Sequence, residues 1–118
     1  MTAPKLKISE FHVFKNYYHD GKKSYRVEDL IELAKDQEAF DLPLAGIPIG
    51  DNPWDGSTIK SFVYHVTRVN NADLSYPIIL DVEGHIADGW HRVCKAILEG
   101  RKYIKAVRLT VMPDPISD

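Results

Sequence analysis

The sequence predicts a single α+β domain in which a mixed sheet packs against about three helices. Apolar residues recur at helical spacing in three segments, and runs typical of β-strands lie between and after them. The length of 118 residues, with 44% hydrophobic and 27% charged residues, suits one globular domain, which we place at residues 1–118.

The first half of the chain is predicted to form a strand, a helix and a second short strand. Loose alternation over residues 5–14 predicts the first strand, and Asp20–Gly21 predicts a turn. Apolar spacing predicts an amphipathic helix over residues 26–40, which Pro43 would end. The residues on its apolar side are Val27, Leu30, Ile31 and Ala34. The Pro- and Gly-rich stretch that follows has room for one short strand around Ala45–Ile49.

A second helix and a hairpin are predicted in the next part of the chain. Ser57 is predicted to cap a helix over residues 58–69. The apolar stripe of this helix consists of Ile59, Phe62, Val63 and Val66. Residues 76–82 predict a buried strand, and Glu83–Gly84 predicts a tight turn into a returning strand at residues 85–88.

A third helix and a final strand complete the predicted domain. The helix is predicted over residues 90–100, with Gly100 at its C-terminal cap. Its inward-facing residues are predicted to be Val93, Ala96 and Ile97. Alternation over residues 103–112 predicts the last strand.

The net charge of −2 conceals three segments of opposite charge. Residues 1–27 hold six Lys and Arg against two acids, and so do residues 85–109. Residues 28–55 hold eight acids against Lys35 alone. A protein that binds duplex DNA through its phosphates usually carries an overall basic excess, which this chain lacks. The charge pattern fits a compact anionic ligand near a basic segment better than it fits DNA. A charged surface that is merely solvated explains the pattern as well as such a ligand does.

Cysteine usage and hydropathy bear on the location of the protein. Cys94 is the only cysteine, so no intramolecular disulfide can form, which fits a reducing cytosol. The sequence contains neither a stretch of about 18 apolar residues nor a charged-then-apolar leader. We therefore expect a cytoplasmic protein without a membrane partner.

The stretch DGWHR lies where the returning strand ends and the third helix begins. Free N–H groups and the helix dipole make such a helix start a natural anion site. Gly89 would let the backbone approach the ligand, and Trp90 would line the pocket or stack on a base. His91 and Arg92 would hold phosphate oxygens. Asp88 would bind a metal ion, orient His91 or accept a hydroxyl proton.

An ordinary helix start explains the same residues. Asp88 would then be the N-cap, Gly89 a turn residue, and His91 and Arg92 solvated side chains. A cation in the first turn opposes the helix dipole, so Arg92 is mildly unfavourable there unless an anion is bound. The residues alone favour the anion site only slightly over this alternative.

The stretch YPIILDVEGHIADGWHRVCKAILEGRKYIKAVRL resembles the core of the ParB/sulfiredoxin superfamily. Members of that superfamily place a Gly-x-His-Arg or Gly-x-Arg-Arg box between a hairpin strand and a helix. The upstream stretch LPLAGIPIGDNPW is similar to the strand and Asn-Pro segment that opens ParB-type domains. The resemblance covers roughly Ala45 to Leu109 and implies a small ParB/sulfiredoxin-like domain.

The resemblance implies that the box holds nucleotide phosphates, with Mg²⁺ and a nucleoside tri- or diphosphate as cofactors. Its members include CTP-hydrolysing ParB proteins, ATP-dependent sulfiredoxins, and free-serine kinases that carry an Asp-Gly-x-His-Arg box. Trp90 stands where sulfiredoxins carry their essential cysteine, so we do not expect sulfiredoxin chemistry. The chain stops at Asp118, so we do not expect the DNA reader and dimerisation domain of a ParB partitioning protein.

Three further residues have two interpretations each. Trp54 is expected to anchor the core, with an aromatic platform for a base as the alternative. His65 is expected to be a boundary histidine, although with Arg68 it could face the phosphate turn. Cys94 is expected to be a buried small side chain rather than a nucleophile.

The sequence thus predicts a domain that binds a nucleotide or another small phosphorylated ligand, with Asp88 and His91 as candidate catalytic residues. Should the protein be an enzyme, nucleotide hydrolysis or phosphoryl transfer fits best, because that chemistry depends mainly on positioning and charge. Two alternatives stay open. One is a DNA-binding or nuclease accessory protein of phage or plasmid type, and the other is an interaction module without a ligand.

Overall fold

The computed structural model describes residues 17–50, 53–54 and 58–116, and within them the chain has an α+β fold. The helices are α1 (Val27–Ala34), α2 (Ile59–Asn71) and α3 (Trp90–Leu98). The strands are β1 (Tyr17–His19), β2 (Ser24–Arg26), β3 (Phe40–Pro43), β4 (Ile78–Leu80), β5 (Ile86–Asp88) and β6 (Tyr103–Arg108). The predicted strand over residues 5–14 lies outside the described residues.

A mixed four-stranded sheet organises the domain, in the order β3-β6-β4-β5. β6 pairs antiparallel with β3 and parallel with β4, and β4 pairs antiparallel with β5. A separate two-stranded sheet joins β1 and β2, with Gly21 at positive φ in the predicted turn between them. The predicted mixed sheet with three helices is therefore confirmed.

Apolar clusters cover both faces of the four-stranded sheet. The cluster on the α3 side consists of Leu44, Ile47, Ile78, Leu80, Val93, Ala96, Ile104 and Ala106. The cluster on the α1 side consists of Tyr25, Val27, Leu30, Ile79, Val107 and Leu109. Because successive strand residues point to opposite faces, Ile78 and Leu80 join the first cluster and Ile79 joins the second. All three residues of β4 are consequently buried.

The first helix is shorter than the sequence predicts. α1 ends at Ala34 rather than continuing toward Pro43, and Phe40–Pro43 forms the edge strand β3 instead. This segment pairs along its whole length with β6, a long-range contact that helical spacing does not report. The predicted strand around Ala45–Ile49 is wrong as well, because Leu44–Gly46 forms a short 3₁₀ helix.

The second helix is confirmed, but most of its apolar stripe is exposed. Thr58 is the N-cap of α2, and its side chain accepts a hydrogen bond from the backbone N–H of Ser61 at 3.1 Å. The predicted cap, Ser57, lies outside the described residues. Ile59 and Phe62 are 83% and 69% exposed, whereas Val69 near the end of α2 is buried. Helical spacing identified an apolar side of α2 without deciding what would cover it.

The hairpin and the last helix are confirmed in outline. Gly84 turns the chain from β4 to β5 at positive φ. Gly100 ends α3 in a Schellman motif, in which its N–H donates to Ile97 O and the next N–H donates to Ala96 O. Ile97 is half exposed rather than inward-facing, while Ala96 is fully buried.

Hydropathy along the helices bears on the expected absence of a membrane span. Within residues 17–50, 53–54 and 58–116, no helix combines the length and apolar character that a membrane crossing requires.

Candidate functional site

The turn from β5 into α3 depends on Gly89. This residue is the N-cap of α3 and has φ of +117°, a conformation that side chains rarely adopt. A Cβ atom at Gly89 would also lie 2.5 Å from Ile78 Cγ2, which is far inside contact distance. The positive φ and the close packing against β4 both require glycine at this position, so no ligand is needed to explain why Gly89 is a glycine.

Asp88 and Arg92 form an ion pair one helical turn apart. Arg92 Nη2 lies 3.3 Å from Asp88 Oδ2, and both side chains are only about a quarter exposed, at 22% and 25%. Arg92 Nη1 also donates to the carbonyl oxygens of Pro77 and Tyr76. Gly89 rather than Asp88 is the N-cap of α3, and Arg92 is bonded within the protein rather than solvated. The anion that a first-turn cation needs is supplied in part by Asp88 itself.

The first turn of α3 presents backbone N–H groups. The first N–H to bond within the helix is that of Val93, which donates to Gly89 O at 3.0 Å. Among the described residues, no side chain caps this end of the helix. The N–H groups of Trp90, His91 and Arg92 precede that bond, which is the arrangement that favours an anion. The Trp90 side chain is partly buried and packs against the core cluster on the α3 side.

His91 belongs to a cluster of three rings. His65 Nδ1 and His91 Nε2 lie 2.9 Å apart, at hydrogen-bonding distance. The indole of Trp54 stacks on both imidazoles, with centroid distances of 4.3 Å to His65 and 4.5 Å to His91. The two imidazoles are 19° from parallel, so one indole covers a nearly flat pair of rings. We call Trp54, His65 and His91 the ring cluster.

Burial keeps the ring cluster uncharged. Burial, followed by the guanidinium of Arg68 and by smaller electrostatic contributions from His65 and Arg92, lowers the pKa of His91 to about 4. Burial and the guanidinium of Arg68 likewise lower the pKa of His65. Both imidazoles are therefore neutral at pH 7, and their hydrogen bond needs one proton, on either His65 Nδ1 or His91 Nε2. A neutral imidazole can still donate or accept a hydrogen bond at its other nitrogen.

A groove of about 340 Å³ runs between α2 and α3 and adjoins the ring cluster. Its lining residues are Trp54, Thr58, Ser61, Phe62, His65, Val66, Val69, Asn70, Cys94 and Leu98. Cys94 is a half-buried free thiol at this groove, and burial raises its pKa. A thiol of raised pKa is a poor nucleophile, in agreement with the predicted role as a small apolar side chain.

The structure places Trp54 differently from the expected core anchor, whereas His65 is a half-buried, hydrogen-bonded histidine as expected. Trp54 stacks on the histidines rather than on the core. His65 faces the phosphate turn, which the sequence suggested only through its spacing from Arg68. The two histidines are 26 residues apart in sequence, so no local pattern indicates their contact. All five residues of DGWHR do lie together at the start of α3, as their adjacency requires.

Comparison of the chain with protein-family models, with curated proteins and with solved structures gave no match. The similarity to the ParB/sulfiredoxin superfamily therefore stays a prediction that depends on the DGWHR stretch and its flanking elements. The turn geometry, the ring cluster and the groove are the observations on which a functional proposal can be built.

Proposed function

We propose that this chain binds a nucleotide or another small phosphorylated ligand, with the phosphates at the first turn of α3. The observation that carries the proposal is an uncapped helix start beside an arginine that is already oriented. Oriented N–H groups bind an anion without having to be ordered at the moment of binding, which favours affinity. The resemblance to the ParB/sulfiredoxin superfamily supports the same ligand class.

Arg92 would contribute a positioned guanidinium. Its side chain has five N–H donors, and three contacts with Asp88, Tyr76 and Pro77 are within the protein. The Nε–H and the second Nη2–H are then the donors for phosphate oxygens. His91, as a neutral imidazole, would act as a hydrogen-bond partner of the phosphates rather than as a counter-charge.

Asp88 would be the residue that holds Mg²⁺. Proteins commonly bind this ion through one or two carboxylates together with the phosphates of a nucleotide. Arg92 engages Asp88 Oδ2, which leaves Oδ1 for the ion. Bound in this way, Mg²⁺ would neutralise phosphate charge. The reaction class that we propose for the site is nucleotide hydrolysis or phosphoryl transfer. The compartment that we propose is a reducing cytosol, which suits the free Cys94 thiol.

Thermal denaturation and calorimetry test the proposal directly. ATP, ADP, CTP and GTP would each be added with Mg²⁺ to the native chain, to Arg92→Ala and to Arg101→Ala. Arg101 is an exposed arginine that pairs with Glu99 at the far end of α3, so it is a matched control. We expect one nucleotide to raise the melting temperature of the native chain and of Arg101→Ala, but not of Arg92→Ala.

Two results would overturn the proposal. One is that no nucleotide raises the melting temperature of the native chain. The other is that Arg92→Ala responds as fully as Arg101→Ala does. Retention on DNA that weakens steeply with salt would instead favour the nucleic-acid alternative.

A further inference from the structure

The groove between α2 and α3 is not used by the phosphate site. Phe62 and Leu98 line it and are 69% and 76% exposed, so both helices leave a large apolar side chain uncovered at the groove. Its volume of about 340 Å³ lies within the range of small-molecule pockets. The groove therefore requires an account of its own.

The lining of the groove indicates the chemistry of its occupant. Of the described residues that line it, none carries a formal charge at pH 7, since His65 is neutral. A charged group placed there would lose its hydration without gaining a counter-charge. The apolar walls, formed by Phe62, Val66, Val69 and Leu98, suit the faces of an uncharged body.

The polar side chains and aromatic rings of the groove further restrict the chemical class of its occupant. Ser61, Asn70 and His65 place a hydroxyl, an amide and an imidazole in the lining, and an occupant with polar edge atoms can bond to them whereas a purely aliphatic occupant cannot. Trp54 and His65 already stack on each other at 4.3 Å and 18° from parallel, so this end of the groove favours flat rings. A planar ring with polar atoms on its edge satisfies both kinds of wall.

We propose that the groove between α2 and α3 is a binding site for an uncharged heteroaromatic ring. Trp54 and His65 line the groove and also contact His91 in the first turn of α3. One ligand can therefore place its ring in the groove and its phosphates at the helix start. That second part rests on the proposed function, whereas the ring site does not.

Cys94 provides the test, because it is the only cysteine and it lines the groove. The rate at which an aromatic disulfide reagent modifies the native chain would be measured with adenosine, cytidine, guanosine or uridine, and with ribose as the control without a ring. We expect at least one nucleoside at saturating concentration to slow the reaction by about fivefold or more, and ribose to leave it unchanged.

A pair of variants on α2 controls for the location. Phe62 lines the groove and Ile59, one turn earlier, does not, although both are largely exposed. We expect Phe62→Ser to abolish most of the protection by the nucleoside and Ile59→Ser to retain it. The ring-site proposal is wrong when no nucleoside protects Cys94, or when both variants behave alike.

The same assay separates this proposal from its rivals. Pyrophosphate with Mg²⁺ should raise the melting temperature through Arg92 without protecting Cys94, so the phosphate site and the ring site can fail independently. Protection of Cys94 that grows with protein concentration, without any nucleoside, would show that a second copy of the chain covers the groove. That result would overturn the ring site.

Discussion

His65 Nδ1 lies 2.9 Å from His91 Nε2, and the indole of Trp54 covers both imidazoles. The contact joins the middle of α2 to the first turn of α3, where the phosphate site is proposed. It holds His91 in one orientation. Burial and the nearby positive charge of Arg68 keep the imidazole of His91 neutral. The stability of the protein should therefore respond to pH through this pair.

We expect the free energy of unfolding to fall as the pH drops from about 6.5 to about 4. His91 has its pKa lowered from 6.5 to about 4 in the folded chain, so in this window the unfolded chain binds a proton that the folded chain does not. The loss should be on the order of 1–2 kcal/mol after allowance for partial exposure. Urea denaturation at several pH values measures it.

His91→Phe should remove much of this pH dependence, because phenylalanine keeps a ring under Trp54 without a titrating nitrogen. His19→Phe is the control, since His19 is exposed on the hairpin and bonds only to Ser24 among the described residues. An unchanged slope in His91→Phe would contradict the assignment.

Gly89→Ala should destabilise the protein by roughly 3–4 kcal/mol, from left-handed strain and overpacking together. The added Cβ meets Ile78 Cγ2 at 2.5 Å, and φ is +117°. Gly21→Ala is the matched control, because Gly21 also has positive φ but has nothing within 4 Å of its Cβ position. It should lose only about 1 kcal/mol. Equal losses of unfolding free energy in the two variants, measured by urea denaturation, would show that the contact with Ile78 adds nothing to the cost of Gly89→Ala.

Arg92→Ala should cost about 1–3 kcal/mol, since it removes the donor to two backbone carbonyls. Asp88→Asn should cost less than about 1 kcal/mol, because the ion pair is partly exposed. A double-mutant cycle between Asp88 and Arg92 should give a favourable coupling energy below about 1 kcal/mol. Fully additive losses would show that their 3.3 Å contact contributes nothing to stability.

Tyr18→Phe should destabilise the protein by about 1.5–3 kcal/mol, because its hydroxyl donates to a buried carboxylate. The acceptor, Asp81 Oδ2, is 2.6 Å away on a residue that is 4% exposed. Tyr17→Phe is the control, since Tyr17 is exposed on the same strand, and it should change stability by less than about 0.5 kcal/mol. Similar losses in both variants would contradict this role for the buried bond.

The Tyr18 bond should also depend on pH. Burial alone would raise the pKa of Asp81, but the Tyr18 hydroxyl and the N–H groups of His85 and Glu83 lower it below 3.8. The stabilisation by Asp81 is therefore present above that pH and is lost as the pH falls further. The difference in unfolding free energy between Tyr18→Phe and the native chain should shrink under strongly acidic conditions. A difference that stays constant down to pH 2 would rule out a charged acceptor.

Local features of this protein follow from its sequence. Helical spacing and cap residues predict α2 and α3, and glycines at positive φ mark the turns at Gly21, Gly84 and Gly100. The sequence also places Asp88 and Arg92 at one helix start, but it does not predict that the two side chains form an ion pair. Such features depend on residues within one or two turns of each other, where backbone geometry limits the outcome.

Packing decided the remaining features. The pairing of β3 with β6 ended α1 early, and the placement of α2 left Phe62 exposed beside a groove. The contact between His65 and His91 spans 26 residues and arises only because α2 packs on α3. Periodicity specifies which side of an element is apolar, but the element that covers that side depends on long-range contacts, which no local pattern contains.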